Sequence, residues 1–191
     1  MRFQHAIELD LPPEGIFAFF SDLETWFRLN PQWQVLSFQG EPESREGGAF
    51  VLEVEYDRSE QKVVYQGLVT ALEPGRSLSL CLEGGEPREI TIEVLPTSTV
   101  SLLKYREDSE HPLSAKDQME LNLWLKSAAN YILISNRTSL FSRVYRWFLD
   151  RYWLKMSPSG RRTVFFVVAA EGLSLVFFLL ILVWLLLFKR V

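Results

Sequence analysis

The sequence predicts an α+β fold: one antiparallel sheet packed on a long C-terminal helix, followed by one transmembrane helix. Three observations predict it. Apolar residues alternate with period two through most of the chain up to Arg106, and the period turns helical from Ser114. Residues 163–188 then form an apolar run of 26 residues with one charge, Glu171. A helix needs only about 20 such residues to cross a bilayer.

The elements follow in order. Phe3, His5, Ile7 and Leu9 alternate with polar neighbours, which marks a strand over 2–10. Pro12 and Pro13 stop it and suit the first turn of a helix containing Ile16, Phe17, Phe19 and Phe20. Ser21-Asp22 opens a second short helix, ended by Pro31. Six strand-like runs follow at 33–39, 49–57, 62–72, 77–82, 88–95 and 99–106. Where the connections are only a few residues long, successive strands pair antiparallel. From Ser114, Leu121, Leu125, Ala128 and Ile132 form one helical stripe, with Trp124 and Tyr131 beside it. A second amphipathic stretch covers 140–156 and ends at Ser157-Pro158.

Charge divides the chain. Residues 1–135 carry 11 Lys+Arg against 22 Asp+Glu, whereas residues 136–191 carry 9 against 2. An acidic domain is a poor partner for nucleic acid, because phosphate contacts need Lys and Arg. Cys81 is the only cysteine and there are two histidines, His5 and His111. A disulfide scaffold and a structural zinc site of ordinary composition are excluded. No metal ligand set and no cofactor are assigned. The N-terminus lacks the apolar run of a signal peptide, so the expected layout is a C-terminal tail anchor. Seven positive charges precede the span (Arg137 to Arg162) and two follow it, Lys189 and Arg190. The positive-inside rule places the N-terminal domain in the cytoplasm. The sequon Asn136-Arg137-Thr138 then lies on the wrong side for glycosylation.

The segments IELDLPPEGIFAFFSDLETWFRLNPQWQVLSF, GGAFVLEVEY and VYQGLVTALEPGRSLSL resemble the START-related helix-grip superfamily of polyketide cyclases and lipid-transport proteins. The resemblance covers residues 1–135. It implies a curved sheet wrapped on the long helix with an apolar cavity between them, and a ligand such as a lipid, sterol, quinone or polyketide. A minority of that superfamily are enzymes. The expected cavity lining is His5, Phe50, Leu52, Val54, Tyr65, Leu80, Ile92, Trp124, Ala128 and Tyr131. Pockets of this kind are mostly apolar with few polar anchors.

No catalytic residue is assigned. His5 sits on the apolar face of its strand, where it either bonds backbone or meets a ligand. His111 lies in the turn EDSEHPL and is expected in solvent. The carboxylates Glu53/Glu55, Glu89/Glu93 and Glu107/Asp108/Glu110 fall mostly on outward positions or in turns, and a solvated face accounts for them. In 140–156, aromatics interleave with Arg143, Arg146, Arg151 and Lys155. With Arg161 and Arg162 these form the expected membrane-surface set. The rival for that stretch is continuation of the grip helix.

The expected organisation is a ligand-binding domain (1–135), a basic juxtamembrane segment (136–162), the span (163–188) and a short tail (189–191). Membrane lipids and an apolar small molecule are the expected partners. Glu171 either reaches back to the headgroups or meets a partner helix at Ala169, Ala170, Gly172 and Ser174, from another membrane protein or a second copy. Two rivals accompany the ligand-binding reading. One is a cyclase or dehydratase using His5 or a buried tyrosine; the other is an adaptor whose interior is filled.

Overall fold

Period-two alternation becomes a seven-stranded sheet. The computed structural model describes residues 2–188 except 42, 43, 58, 86, 98, 99 and 111, with no side-chain description at 183 and 185–188. His111 and the tail, with Lys189 and Arg190, lie outside the described residues. The strands are β1 (Arg2–Leu9), β2 (Trp33–Gln39), β3 (Ala49–Tyr56), β4 (Lys62–Glu73), β5 (Ser77–Glu83), β6 (Arg88–Pro96) and β7 (Ser101–Ser109). Their order across the sheet is β1-β7-β6-β5-β4-β3-β2, and every neighbouring pair is antiparallel. Strands β2 to β7 form a meander, and β1 closes it beside β7.

Two register shifts, at Val35/Ser37 and Val69/Ala71, add a residue to β2 and to β4. Such bulges raise local twist and bend the strand. Gly67 serves a packing purpose: a Cβ there would come within 2.1–2.5 Å of the Phe50 ring. The ring therefore lies flat against the β4 backbone. Gly84 turns the chain from β5 to β6 with φ +103°, a conformation that L side chains rarely adopt.

Helices α1 (Pro13–Ser21) and α2 (Leu23–Arg28) follow β1. Asp22 caps α2 by accepting from the Thr25 N–H at 3.1 Å. Helix α3 (Ala115–Ser135) begins with a full capping box, Ser114 with Asp117. It buries Leu121, Trp124, Leu125, Ala128, Ala129 and Ile132, which is the predicted stripe with Trp124 drawn into it. Trp26 and Trp124 stack at 5.1 Å and 11°, and the Trp124 indole donates to the Trp26 carbonyl at 3.1 Å. The Trp33 indole donates to the Phe27 carbonyl at 3.1 Å. These bonds hold α2, β2 and α3 on one core.

Helix α4 (Leu140–Arg151) is a separate helix, capped by Ser139, which accepts from the Ser142 N–H. A 3-10 turn at Trp153–Lys155 follows. The first compact unit ends at Lys155, so it includes α4. The second unit starts at Met156 and is essentially helix α5 (Pro158–Phe188). Within α5, the 25 residues Pro158–Leu182 are long and apolar enough to cross a membrane. Glu171 is exposed on it.

Candidate functional site

The inner face of the sheet is apolar at its centre and polar at one end. Leu52, Val54, Leu80 and Ile92 line the centre and are fully buried. On β7 the inward positions are Leu103, Tyr105, Glu107 and Ser109, all buried. Strand alternation thus carries a carboxylate into the interior: Glu107 is 0% exposed. In the sheet register it lies between Phe3 of β1 and Ile90 of β6. This corrects the expectation that the Glu107/Asp108/Glu110 group is a solvated face. β7 runs on to Ser109, past the expected end at Arg106, and so Glu107 keeps the inward parity of Leu103 and Tyr105.

Glu107 has two side-chain partners. It accepts from the Tyr105 hydroxyl at 2.5 Å and from Nη1 of Arg88 at 3.2 Å. Close by in charge terms are Tyr56 and Tyr65, whose hydroxyls are 2.7 Å apart. Trp33 packs against both of those rings. Burial works against the Arg88 charge, but Glu107 and the three tyrosines outweigh it, and its pKa is raised. The Tyr105 pKa is pushed well up by burial, then by the Glu107 charge and hydrogen bond. Tyr105 therefore keeps its proton, and its hydroxyl donates a hydrogen bond to Glu107. The Trp26 indole N–H, in a residue at 0% exposure, has no hydrogen-bond partner among the described residues.

Chemically this cluster combines hydrogen-bond donors and acceptors. A guanidinium offers several N–H donors in a fixed plane, and tyrosine hydroxyls both donate and accept. Polar ends of this kind suit a carbonyl, carboxylate or hydroxyl on an otherwise apolar molecule.

The structure separates the predicted lining residues. Phe50, Leu52, Val54, Tyr65, Leu80, Ile92, Trp124 and Ala128 come together in the interior, each at most 5% exposed. They pack into one core cluster with Trp26 and Phe27. His5 stands apart. It has the inward parity of β1, but β1 is an edge strand, and His5 is half-buried in an open groove of about 710 Å³ beside α3. Tyr131 also stands apart, on the opposite flank of α3. It lines an open cleft of about 590 Å³ between α1–α2 and α3–α4. Its hydroxyl donates to Asp150 at 2.7 Å, and burial followed by that bond raises its pKa. Of the predicted membrane-surface set, Arg143, Arg146, Arg151, Lys155 and Arg162 are exposed, whereas Arg161 is buried.

Helix α4 presents large apolar side chains to solvent. Phe141 is 89% exposed, and Leu140, Val144, Tyr145 and Trp147 are exposed beside it; Leu149 alone is buried.

No protein-family model and no curated protein matches the chain. Solved structures do. A structure of a protein from Rhizobium leguminosarum aligns with TM-score 0.58 at 14% identity, over 70% of this chain and 94% of that one. An AHSA1-like protein from Aeromonas hydrophila aligns with TM-score 0.56 at 16% identity, over 71% and 94%. A protein from Chromobacterium violaceum aligns with TM-score 0.54 at 20% identity, over 69% and 96%. A curved antiparallel sheet, two short helices after its first strand and a long closing helix, together with these neighbours, establish that the chain has the helix-grip fold.

Proposed function

We propose that this chain is a membrane-anchored binding module of the START-related type. It takes an amphipathic small molecule, a lipid or a quinone, between the sheet and α3. The observation that carries this reading is the buried polar cluster at one end of an apolar interior. Arg88, Glu107 and Tyr105 would meet the polar end of the ligand, and the rows of Leu52, Val54, Leu80 and Ile92 its apolar part. The unpartnered Trp26 indole supplies a further donor. Because the interior residues now pack on one another, binding requires α3 to move off the sheet. The side-chain bond from Gln32 to Glu120, which ties the α2–β2 connection to α3, would open with it.

The membrane part of the proposal rests on α5 and α4. Helix α5 anchors the chain, and α4 lies in the interface with its apolar arc down and its arginines toward headgroups. The charge imbalance across the span supports a cytoplasmic domain. A sequon-bearing tag at the N-terminus should stay unglycosylated in a glycosylating host; a modified product overturns the orientation.

The test of binding is native mass spectrometry of the full chain purified in mild detergent. A co-purifying lipid or quinone is expected, lost in Arg88→Met. A bare wild type whose melting temperature ignores added ubiquinone analogues and lysophospholipids refutes it. That outcome favours the adaptor reading, which the tight packing of Trp26, Phe27 and Trp124 supports.

A further inference from the structure

The cleft between α1–α2 and α3–α4 lies outside the grip interior. Its volume, about 590 Å³, is within the range of small-molecule sites. Its walls carry as many carboxylates as cations: Asp22, Glu24 and Asp150 against Arg28, Arg146 and Lys155. Two aromatic rings line it, Phe19 and Tyr131, with centroids 5.5 Å apart.

The charges are not all spent on each other. Arg28 is held by Glu24 at 2.7 Å. Asp150 accepts from Tyr131 and lies 3.7 Å from Arg146. Lys155 has no ion-pair partner among the described residues. One side of the cleft thus presents Arg146 and Lys155 to an anion. Another presents Asp22 beside two aromatic rings, Phe19 and Tyr131, and aromatic rings attract a quaternary or primary ammonium.

The position of the cleft follows from the α4 wheel. At about 100° per residue, Arg146 lies roughly 150° and Asp150 roughly 110° from the centre of the exposed apolar arc of Leu140, Phe141, Val144 and Trp147. The cleft therefore opens along a flank of α4, turned away from its apolar arc. An interfacial helix sinks its apolar face about 5–10 Å, to the headgroup/acyl boundary. A helix is about 10–12 Å thick with side chains. Its flank, where the cleft opens, then sits at the level of the headgroups. Lys155 also precedes Thr163, where the apolar run starts, by eight residues, at most about 28 Å of chain.

We propose that this cleft holds a zwitterionic headgroup, a phosphate joined to an ammonium, with the phosphate on Arg146 and Lys155 and the ammonium on Asp22, Phe19 and Tyr131. The proposal rests on the reading of α4 as an interfacial helix. The shared chemistry has two sources, a phosphatidylcholine in the bilayer and a soluble phosphodiester such as glycerophosphocholine.

The experiment uses the full chain in phosphatidylcholine nanodiscs doped with a phosphatidylcholine that carries a diazirine in its headgroup. Irradiation followed by peptide mapping is expected to label peptides containing Ala18 and Tyr131. Ala18, exposed on α1 in the cleft wall, is replaced by Trp to fill the space, and labelling should fall about tenfold. Lys155→Glu, at an exposed position, should lower it several-fold. Both variants should keep any ligand of the grip interior, which separates this site from that one. Competition by millimolar glycerophosphocholine supports the site with a soluble source, and absence of competition supports the bilayer source. Labels confined to α4 and α5, or unaffected by Ala18→Trp and Lys155→Glu, overturn the proposal. Equal labelling by a phosphatidylglycerol analogue overturns the ammonium half and with it the zwitterion. A spin label at Trp147→Cys, in a Cys81→Ser background, reports the depth of α4 independently. A label in bulk water removes the premise, and the proposal falls with it, while the grip reading stands.

Discussion

Replacing Glu107 by Gln keeps its shape and removes its charge. The Arg88 guanidinium, largely buried with its side chain 17% exposed, then loses the charge of the carboxylate beside it, which is 0% exposed. Breaking a buried pair in this way costs about 3–5 kcal/mol. For a domain of this size, each kcal/mol lowers the melting temperature by about 2–4 °C, so Glu107→Gln should lower it by about 6–20 °C. The double variant Arg88→Met/Glu107→Leu removes both charges and fills the space with apolar groups. Such replacements are often neutral or stabilising by about 1–4 kcal/mol. It should melt near or above the wild type, with its Tyr105 hydroxyl left unbonded as the main offset. The assay is circular dichroism of the full chain in detergent, following near-UV aromatic signals from the Trp26–Trp124 core. A shift below about 3 °C in Glu107→Gln, or a double variant as unstable as the single one, would refute the account of the cluster as a desolvated ion pair. A double variant that is stable but no longer carries the co-purifying molecule would show that the pair is retained for binding.

Stability should also fall in alkali. The Tyr105 pKa is raised in the folded state above its ordinary value of 10.0, so its contribution is complete below pH 10 and is lost as pH rises toward the folded value. Urea midpoints measured from pH 9 to 12 should decline, less steeply in Tyr105→Phe; a flat wild-type profile contradicts this. Gly67→Ala forces a Cβ into the Phe50 ring and should destabilise by about 1–3 kcal/mol, with partial recovery in Gly67→Ala/Phe50→Leu. Equal losses in the single and double variants, read from chemical denaturation, would show that the ring is not the obstacle.

The sheet was readable because most strands have one face in the core, and alternation reports that directly. The same rule reaches Glu107, one residue past Arg106, because β7 continues to Ser109. The acidic run after Arg106 looks like a solvated turn, and only its partner strand shows otherwise, with Arg2 opposite Asp108. His5 has the correct parity, but parity does not say how far a helix covers a sheet, and β1 is the edge. Tyr131 lies seven residues after Trp124, nearly the same helical face. It turns away because α1 packs on that flank, where Phe19 meets its ring at 5.5 Å. The hydroxyl pair of Tyr56 and Tyr65 depends on strand register and on the bend at the bulges, which no local pattern encodes.

The placement of β1 has a kinetic consequence. Strands β2 to β7 can pair hairpin by hairpin, each closing a short loop. The bond from Arg2 to Asp108 closes a separation of 106 residues. Loop-closure entropy rises by about 0.6 kcal/mol per doubling, so this pairing carries about 2–3 kcal/mol more than a tight hairpin. Non-local pairing of this kind slows folding. The β7 edge, which carries Tyr105 and Glu107, would thus stay uncovered longest during folding. A nascent chain at that stage exposes an unpaired strand carrying a carboxylate that is later buried, and a charge on an open edge opposes adhesion to other chains.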